Sequence, residues 1–164
     1  MSEGQGVTPP PLEADVLSAL SAIGLTSPSP DDPLHVALVA ALRRTRGMSW
    51  GAQIVAMQFE FNWAHKAAGD TYATAKVDHE RYLARETVRL RAEEKLTLAE
   101  ATRRVEASDR AYELRLASLL GEQQERSLRG FLGTLKSALD NHRSDRADQR
   151  AADQAHAQGI GGAP

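Results

Sequence analysis

From Thr71 to Gln158 the chain contains no proline, and glycine occurs there only at positions 121, 130 and 133. A breaker-free stretch of that length is a helix former, because strands rarely exceed about ten residues and need partners. As one continuous helix it would run about 130 Å at 1.5 Å per residue. A single apolar stripe on so long a helix is unstable in water, since helices draw most of their stability from packing. The stripe must therefore meet another part of the chain or another copy of it. Composition points the same way. Ala, Leu, Arg, Glu and Lys number 27, 19, 16, 12 and 4, or 78 of the 164 residues, and a chain near one-half in these types marks long helices and coiled coils. Leu, Ile, Val and Phe together supply only 33 residues, too few for an ordinary compact α/β domain. The fold class expected is all-α: a small N-terminal helical unit followed by a long coiled-coil-like arm, with a helical hairpin as one form of that arm.

Two features divide the stretch. Thr97-x-x-Glu100 is a capping box, with Leu96 and Ala101 placed for a hydrophobic staple, so a break is expected near Lys95–Thr97. Beyond it Leu98, Val105, Tyr112 and Leu119 recur every seven residues, with Leu116 beside them and Ser108, Asp109 and Arg115 interrupting. After Gly121 the phase shifts, and Leu128, Phe131, Leu132, Leu135 and Leu139 form the strongest apolar stripe in the chain. A phase shift at a glycine predicts a kink or a hairpin there. These ten residues are the expected oligomer interface, whether the arm is continuous or folds back near 95–97 or 121. Pairs such as Glu100–Arg104, Glu122–Arg126 and Glu125–Arg129 sit at i,i+4 with the acid first, the favourable order on a helix.

The N-terminal part is a different kind of sequence. Residues 1–11 are rich in Gly and Pro and predict a disordered tail. Leu12, Val16, Leu17, Leu20 and Ile23 have helical spacing, and Gly24 can close that helix. Asp32-Pro33 reads as N-cap and N1 of a second helix, with Leu34, Leu38, Ala41 and Leu42 on one face and Gly47 beyond its end. Ser49 can cap a third. Over residues 57–63 Met57, Phe59, Phe61 and Trp63 alternate with polar residues as in a strand, yet Ile54, Met57, Phe61, Ala64 and Ala68 form a helical stripe. Helix is preferred, because a lone strand leaves its backbone unpaired. Gly69-Asp70 predicts the end of one helix and the cap of the next. The expected organisation is thus a tail (1–11), a small helical unit (12–69), a long helical arm (70–140) and a polar, partly disordered C-terminal tail (141–164).

Several function classes lack support. There are no cysteines, which removes disulfides and thiolate chemistry. No apolar run is long enough for a membrane span, and the first residues do not resemble a signal peptide, so a cytoplasmic protein without a membrane partner is expected. None of the five histidines, 35, 65, 79, 142 and 156, lies at i,i+3 or i,i+4 from another, so no helical His-pair metal site is expected. Gly159-Ile160-Gly161-Gly162 has no helix after it to cradle a phosphate, and no nucleophile motif is present. Catalytic, cofactor-binding and metal residues are accordingly expected to be none, and the chain is read as non-enzymatic.

The net charge of −2 is not the basic footprint of a strong nucleic-acid binder. Still, Arg43, Arg44 and Arg46 cluster, His65 and Lys66 follow, and Arg81, Arg85 and Arg89 share one helix face. These are the candidate contacts for a nucleic acid or an acidic partner. Leu34–Arg46, the turn Gly47-Met48-Ser49-Trp50 and the helix after it, carried by Ala41-Leu42-Arg43-Arg44-Thr45-Arg46-Gly47-Met48-Ser49, resemble the first two helices of a helix-turn-helix unit, with Ala64–Gly69 in the third. The likeness covers about 35 residues, and Gln58-Phe59-Glu60-Phe61 stands where a tight turn precedes the recognition helix. Such a unit followed by a helical oligomerisation region is similar in layout to phage small terminase subunits, which implies DNA binding by an accessory protein. Two readings result: a homo-oligomeric helical adaptor or scaffold protein, with the aromatic N-terminal unit or the polar C-terminal tail offering a further protein-docking surface, and a DNA-binding accessory protein of phage or mobile-element type.

Overall fold

A computed structural model describes residues 12–160, except for the side chains of 158–160. The expected tail at 1–11 and the last four residues lie outside them. The described residues form five helices and no strand: α1 (Ala14–Ala22), α2 (Pro33–Arg44), α3 (Trp50–Glu94), α4 (Leu98–Glu106) and α5 (Asp109–Ile160). The fold is all-α with a long helical arm.

Local chemistry sets the ends of the helices. At the close of α1, Gly24 takes φ +87°, its N–H bonds the Ser21 carbonyl, and the Leu25 N–H bonds that of Leu20. That is the double hydrogen bond of a Schellman end, which asks for the left-handed conformation glycine adopts freely. Asp32 caps α2 by accepting from the N–H groups of Leu34 (2.8 Å) and His35 (3.2 Å), with Pro33 in the first turn. Ser49 Oγ accepts from the Ala52 N–H at the start of α3.

The strand-like alternation at 57–63 resolves within α3. Met57 and Phe61 are buried and Phe59 and Trp63 are exposed, so the alternation separates two faces of one helix. The break expected at Gly69-Asp70 does not occur. α3 runs through it, because neither residue is incompatible with helix and Asp70 instead pairs with Lys66 one turn earlier. The break at Lys95–Thr97 does occur. Lys95 takes φ +54°, a conformation that costs a non-glycine residue about 1–2 kcal/mol. The box downstream offsets it: Thr97 Oγ1 accepts from the Glu100 N–H, and the Glu100 carboxylate accepts from the Thr97 N–H. A second interruption follows at Ala107–Ser108, where Ser108 Oγ accepts from the Ala111 N–H and caps α5.

The chain divides into two compact units. The first joins α1, α2 and α3 as far as Glu60 to α5 from Leu135 onward. Its core is Leu20, Leu38, Ile54, Met57 and Leu135, all fully buried, with Val16, Ile23, Val39 and Leu42 around them. Glu13–Arg43, Asp15–Arg46 and Arg44–Glu60 ion pairs cross its surface; exposed pairs contribute at most about 1 kcal/mol each.

The second unit is Phe61–Thr134, and it is a helical hairpin. α3 and α5 run antiparallel, so successive contacts step forward on one and back on the other. Phe61 stacks on Phe131 (ring centroids 5.4 Å apart), His65 bonds Glu125, Tyr72 meets Gly121, and the Tyr82 hydroxyl lies 3.3 Å from Ser108 Oγ. At the closed end Leu90, Ala101 and Val105 form a buried cluster against Tyr82, Leu83 and Leu96, so α4 covers the turn. Within this unit the buried and half-buried positions of α5, Glu122 apart, are Ala111, Leu114, Ser118, Gly121, Glu125, Leu128 and Leu132. They alternate in steps of three and four, the spacing by which the a and d positions of a heptad fall on one helix face.

Gly121 is therefore no hinge. α5 passes straight through it, and a β-carbon there would stand 3.0 Å from Tyr72 Cα. Glycine is used because the α3 backbone comes too close for a side chain. By contrast, a β-carbon at Gly130, on an exposed face of the same helix, meets nothing within 4 Å. Gly121→Val is expected to destabilise the protein by about 1–3 kcal/mol through overpacking, whereas Gly130→Val changes stability by less than about 0.5 kcal/mol. Urea unfolding of the two variants checks this, and equal midpoints would remove the close-approach argument.

Candidate interaction surface

The ten residues expected to form one contact stripe fall into two sets. Val105, Leu128 and Leu135 are buried, and Leu132 and Leu139 are half-buried. Leu128 and Leu132 lie on the seam facing α3, and Leu139 packs beside Gly51 in the first unit. Leu98, Tyr112, Leu116, Leu119 and Phe131 are exposed. The sevenfold spacing Leu98–Val105–Tyr112–Leu119 bridges the Ala107–Ser108 interruption, so no single helix carries it.

What remains outside is a compact patch on α5. With Ala111, Ser118 and Glu125 at a, and Leu114, Gly121 and Leu128 at d, Tyr112 and Leu119 fall at b, Leu120 at c and Leu116 at f. Positions b, c and f point away from a coiled-coil partner and are normally polar. Here they are 67%, 52%, 62% and 41% exposed, respectively. Leu120 did not figure in the sequence-based stripe, because its neighbour Leu119 satisfied the sevenfold spacing and Leu120 did not.

The chain matches no protein family, no curated protein and no solved structure. Chemistry must be read from its own side chains.

Most of the candidate nucleic-acid contacts have carboxylate partners. Arg43 binds Glu13 through two nitrogens, Arg46 binds Asp15 likewise, and Arg44 binds Glu60. Lys66 pairs with Asp70, and Arg89 with Glu86 and Glu93. His65 is turned into the hairpin, and Arg81 and Arg85 are exposed on α3. Guanidinium groups held this way present little uncompensated charge to a phosphate backbone. The helix-turn-helix layout is also incomplete. Ala64–Gly69, placed by that likeness in a separate third helix, lies inside continuous α3.

One polar cluster escaped the sequence reading. Glu125 occupies a seam position where an apolar residue is usual, with its side chain only 13% exposed. His65 Nε2 lies 2.7 Å from its Oε1, and since a carboxylate only accepts, the ring nitrogen donates. Arg129, one turn on, donates to the same oxygen. Arg129 first, and His65 second, hold the Glu125 carboxyl below its ordinary range. In the sequence Glu125 looked like half of an exposed i,i+4 pair, and nothing local ties it to a histidine 60 residues earlier.

The sign of the pH effect follows. A carboxylate whose folded pKa is depressed contributes stability that is full above its unfolded pKa, about 4.3 for Glu, and is lost as pH falls through the lower folded value. Glu13, Asp15 and Glu100 are also lowered, by Arg43, Arg46 and Thr97 respectively, so the native chain alone cannot isolate the contribution of Glu125. The difference between the native chain and Glu125→Gln does. The melting temperature of the native protein is expected to fall more steeply than that of the variant from about pH 5 to pH 3. Parallel profiles would show that the cluster contributes nothing.

Proposed function

We propose that this protein is a non-enzymatic, cytoplasmic helical adaptor that works by associating with a second copy of itself. The observation that carries the reading is the exposed apolar set Tyr112, Leu116, Leu119 and Leu120 at the outward positions of α5. The hairpin seam lies on the other face of α5, so these side chains are left 41% or more in water, which is unfavourable for apolar groups. Contiguous exposed apolar patches of several hundred Å² mark association surfaces in soluble proteins. Tyr and Leu at the centre of such a patch supply burial with little entropic cost.

The DNA-binding alternative gains no comparable support, because the uninterrupted α3 departs from a helix-turn-helix layout.

Sedimentation equilibrium tests the proposal. The 17.8 kDa chain is expected to sediment as a reversible dimer or higher oligomer at micromolar concentration. Leu116→Asp combined with Leu119→Asp should weaken association by about a hundredfold or more with unchanged helical circular dichroism. Leu132→Asp should instead unfold the hairpin, because its side chain belongs to the seam. A native chain that stays monomeric at high micromolar concentration would overturn the reading.

A further inference from the structure

We infer that the second copy lies antiparallel on the first, α5 against α5, about a two-fold axis between Leu116 and Leu119. The inference rests on the self-association reading above and adds its direction and register. It comes from the order of charge along the outward face of the helix. At one end of the apolar patch stand Asp109 (position f) and Glu113 (position c), and at the other stands Arg126 (position b), all exposed. Gln123, uncharged, lies at f between the patch and the arginine.

A parallel, in-register pair would stack Asp109 on Asp109, Glu113 on Glu113 and Arg126 on Arg126, and like charges at such spacing repel. Reversing one copy places Asp109 opposite Arg126, Leu116 opposite Leu119, and the Tyr112 hydroxyl over the Gln123 amide. A two-fold axis makes each of these contacts twice, as an isologous dimer requires. Glu113 and Arg126 now hold local partners, Arg110 and Glu122. These are surface pairs within one turn of helix, weak enough to be exchanged. The overlap spans about 18 residues, or roughly 27 Å of helix. Two helices over that length bury on the order of 1,000 Å², at the low edge of stable interfaces, so the dimer should be concentration-dependent.

The native chain has no cysteine, which allows a direct test. Asp109→Cys and Arg126→Cys are made as separate full-length proteins, mixed in equal amounts and mildly oxidised, and the disulfide-linked peptides are identified by mass. The mixed 109–126 link is expected to exceed either same-site link by about tenfold. Glu113→Cys with Gln123→Cys serves as a second pair should the first perturb the start of α5. As an independent readout, Arg126→Asp should weaken dimerisation at least tenfold, and Asp109→Arg added to it should restore most of the loss. In a parallel pair the double swap gives no rescue. Same-site links in a protein that still dimerises, or a statistical mixture of links, would overturn the direction and leave self-association standing. A dimer that persists in the Leu116→Asp, Leu119→Asp protein would overturn the use of this face. A monomer, or capture of a different protein on the patch, would overturn the reading beneath it as well.

Discussion

The approach of α5 to α3 at Gly121, 3.0 Å from an added β-carbon to Tyr72 Cα, governs the second unit. Where two helices come this near, the seam must be built from small residues, and Ala68, Ala75, Ala111 and Ser118 accompany the glycine. Such side chains bury little apolar area each, about 25 cal/mol per Å². Close backbone contact makes up part of the difference through dispersion, which depends on short distances over many atoms. The low count of large aliphatic residues is therefore compatible with an ordered hairpin. A chain that cannot fill a wide core can still fill a narrow one.

A narrow seam also explains how much of the fold could be read beforehand. Three helix ends were legible because each is fixed by two or three neighbouring residues, Gly24 after α1, Asp32-Pro33 before α2 and Thr97-x-x-Glu100 before α4, whereas Gly69-Asp70 has the residues of an end inside continuous α3 and the interruption at Ala107–Ser108 has no comparable local signal. The inward face of α5 was not. Hydrophobic pattern reading follows large apolar side chains, and between 111 and 125 all of those but Leu114 point outward, while Ala, Ser, Gly and Glu make up the rest of the inward face. The apparent phase shift at Gly121 was the passage from the outward set, Tyr112–Leu116–Leu119, to the inward set, Leu128–Leu132–Leu135. The helix did not change; the face carrying the leucines did. Likewise the link between His65 and Glu125 depends on chain reversal at Lys95, and no spacing rule expresses it.

Glu125 has a consequence for specificity. A seam of Ala and Gly is nearly featureless along its length, so a hairpin built on it alone slides at little cost. A half-buried carboxylate bonded to His65 and Arg129 is satisfied in one register only, because displacing α5 by a turn leaves it desolvated without the histidine. Removing one partner of a buried polar pair costs more than the pair contributes when formed. Polar seam residues that fix register at some expense in stability are known from coiled coils generally. Phe61 on Phe131 acts in the same sense from the open end of the hairpin, and the Tyr82–Ser108 contact from near the closed end.

The same economy leaves one face of α5 carrying large apolar groups that the hairpin seam does not use. Large apolar residues, Tyr112, Leu116, Leu119 and Leu120, stand on the opposite face, whereas the seam between 111 and 125 has Leu114 as its one large apolar side chain among Ala, Ser, Gly and Glu. Were the chain only required to fold, exchanging the two sets would give a wider, more apolar core and a soluble outer surface. Keeping large apolar groups on b, c and f positions leaves much of their surface in water, where it adds little to the folded monomer. A second helix laid on that face would remove it from water, and Asp109 and Arg126 at its two ends favour one that runs the other way. Past His142 the constraint lapses. Residues 143–157 of α5 are exposed throughout, so that part of the helix rests on alanine propensity and local pairs such as Asp140–Arg143, and it shows what the rest of the arm would be without its seam.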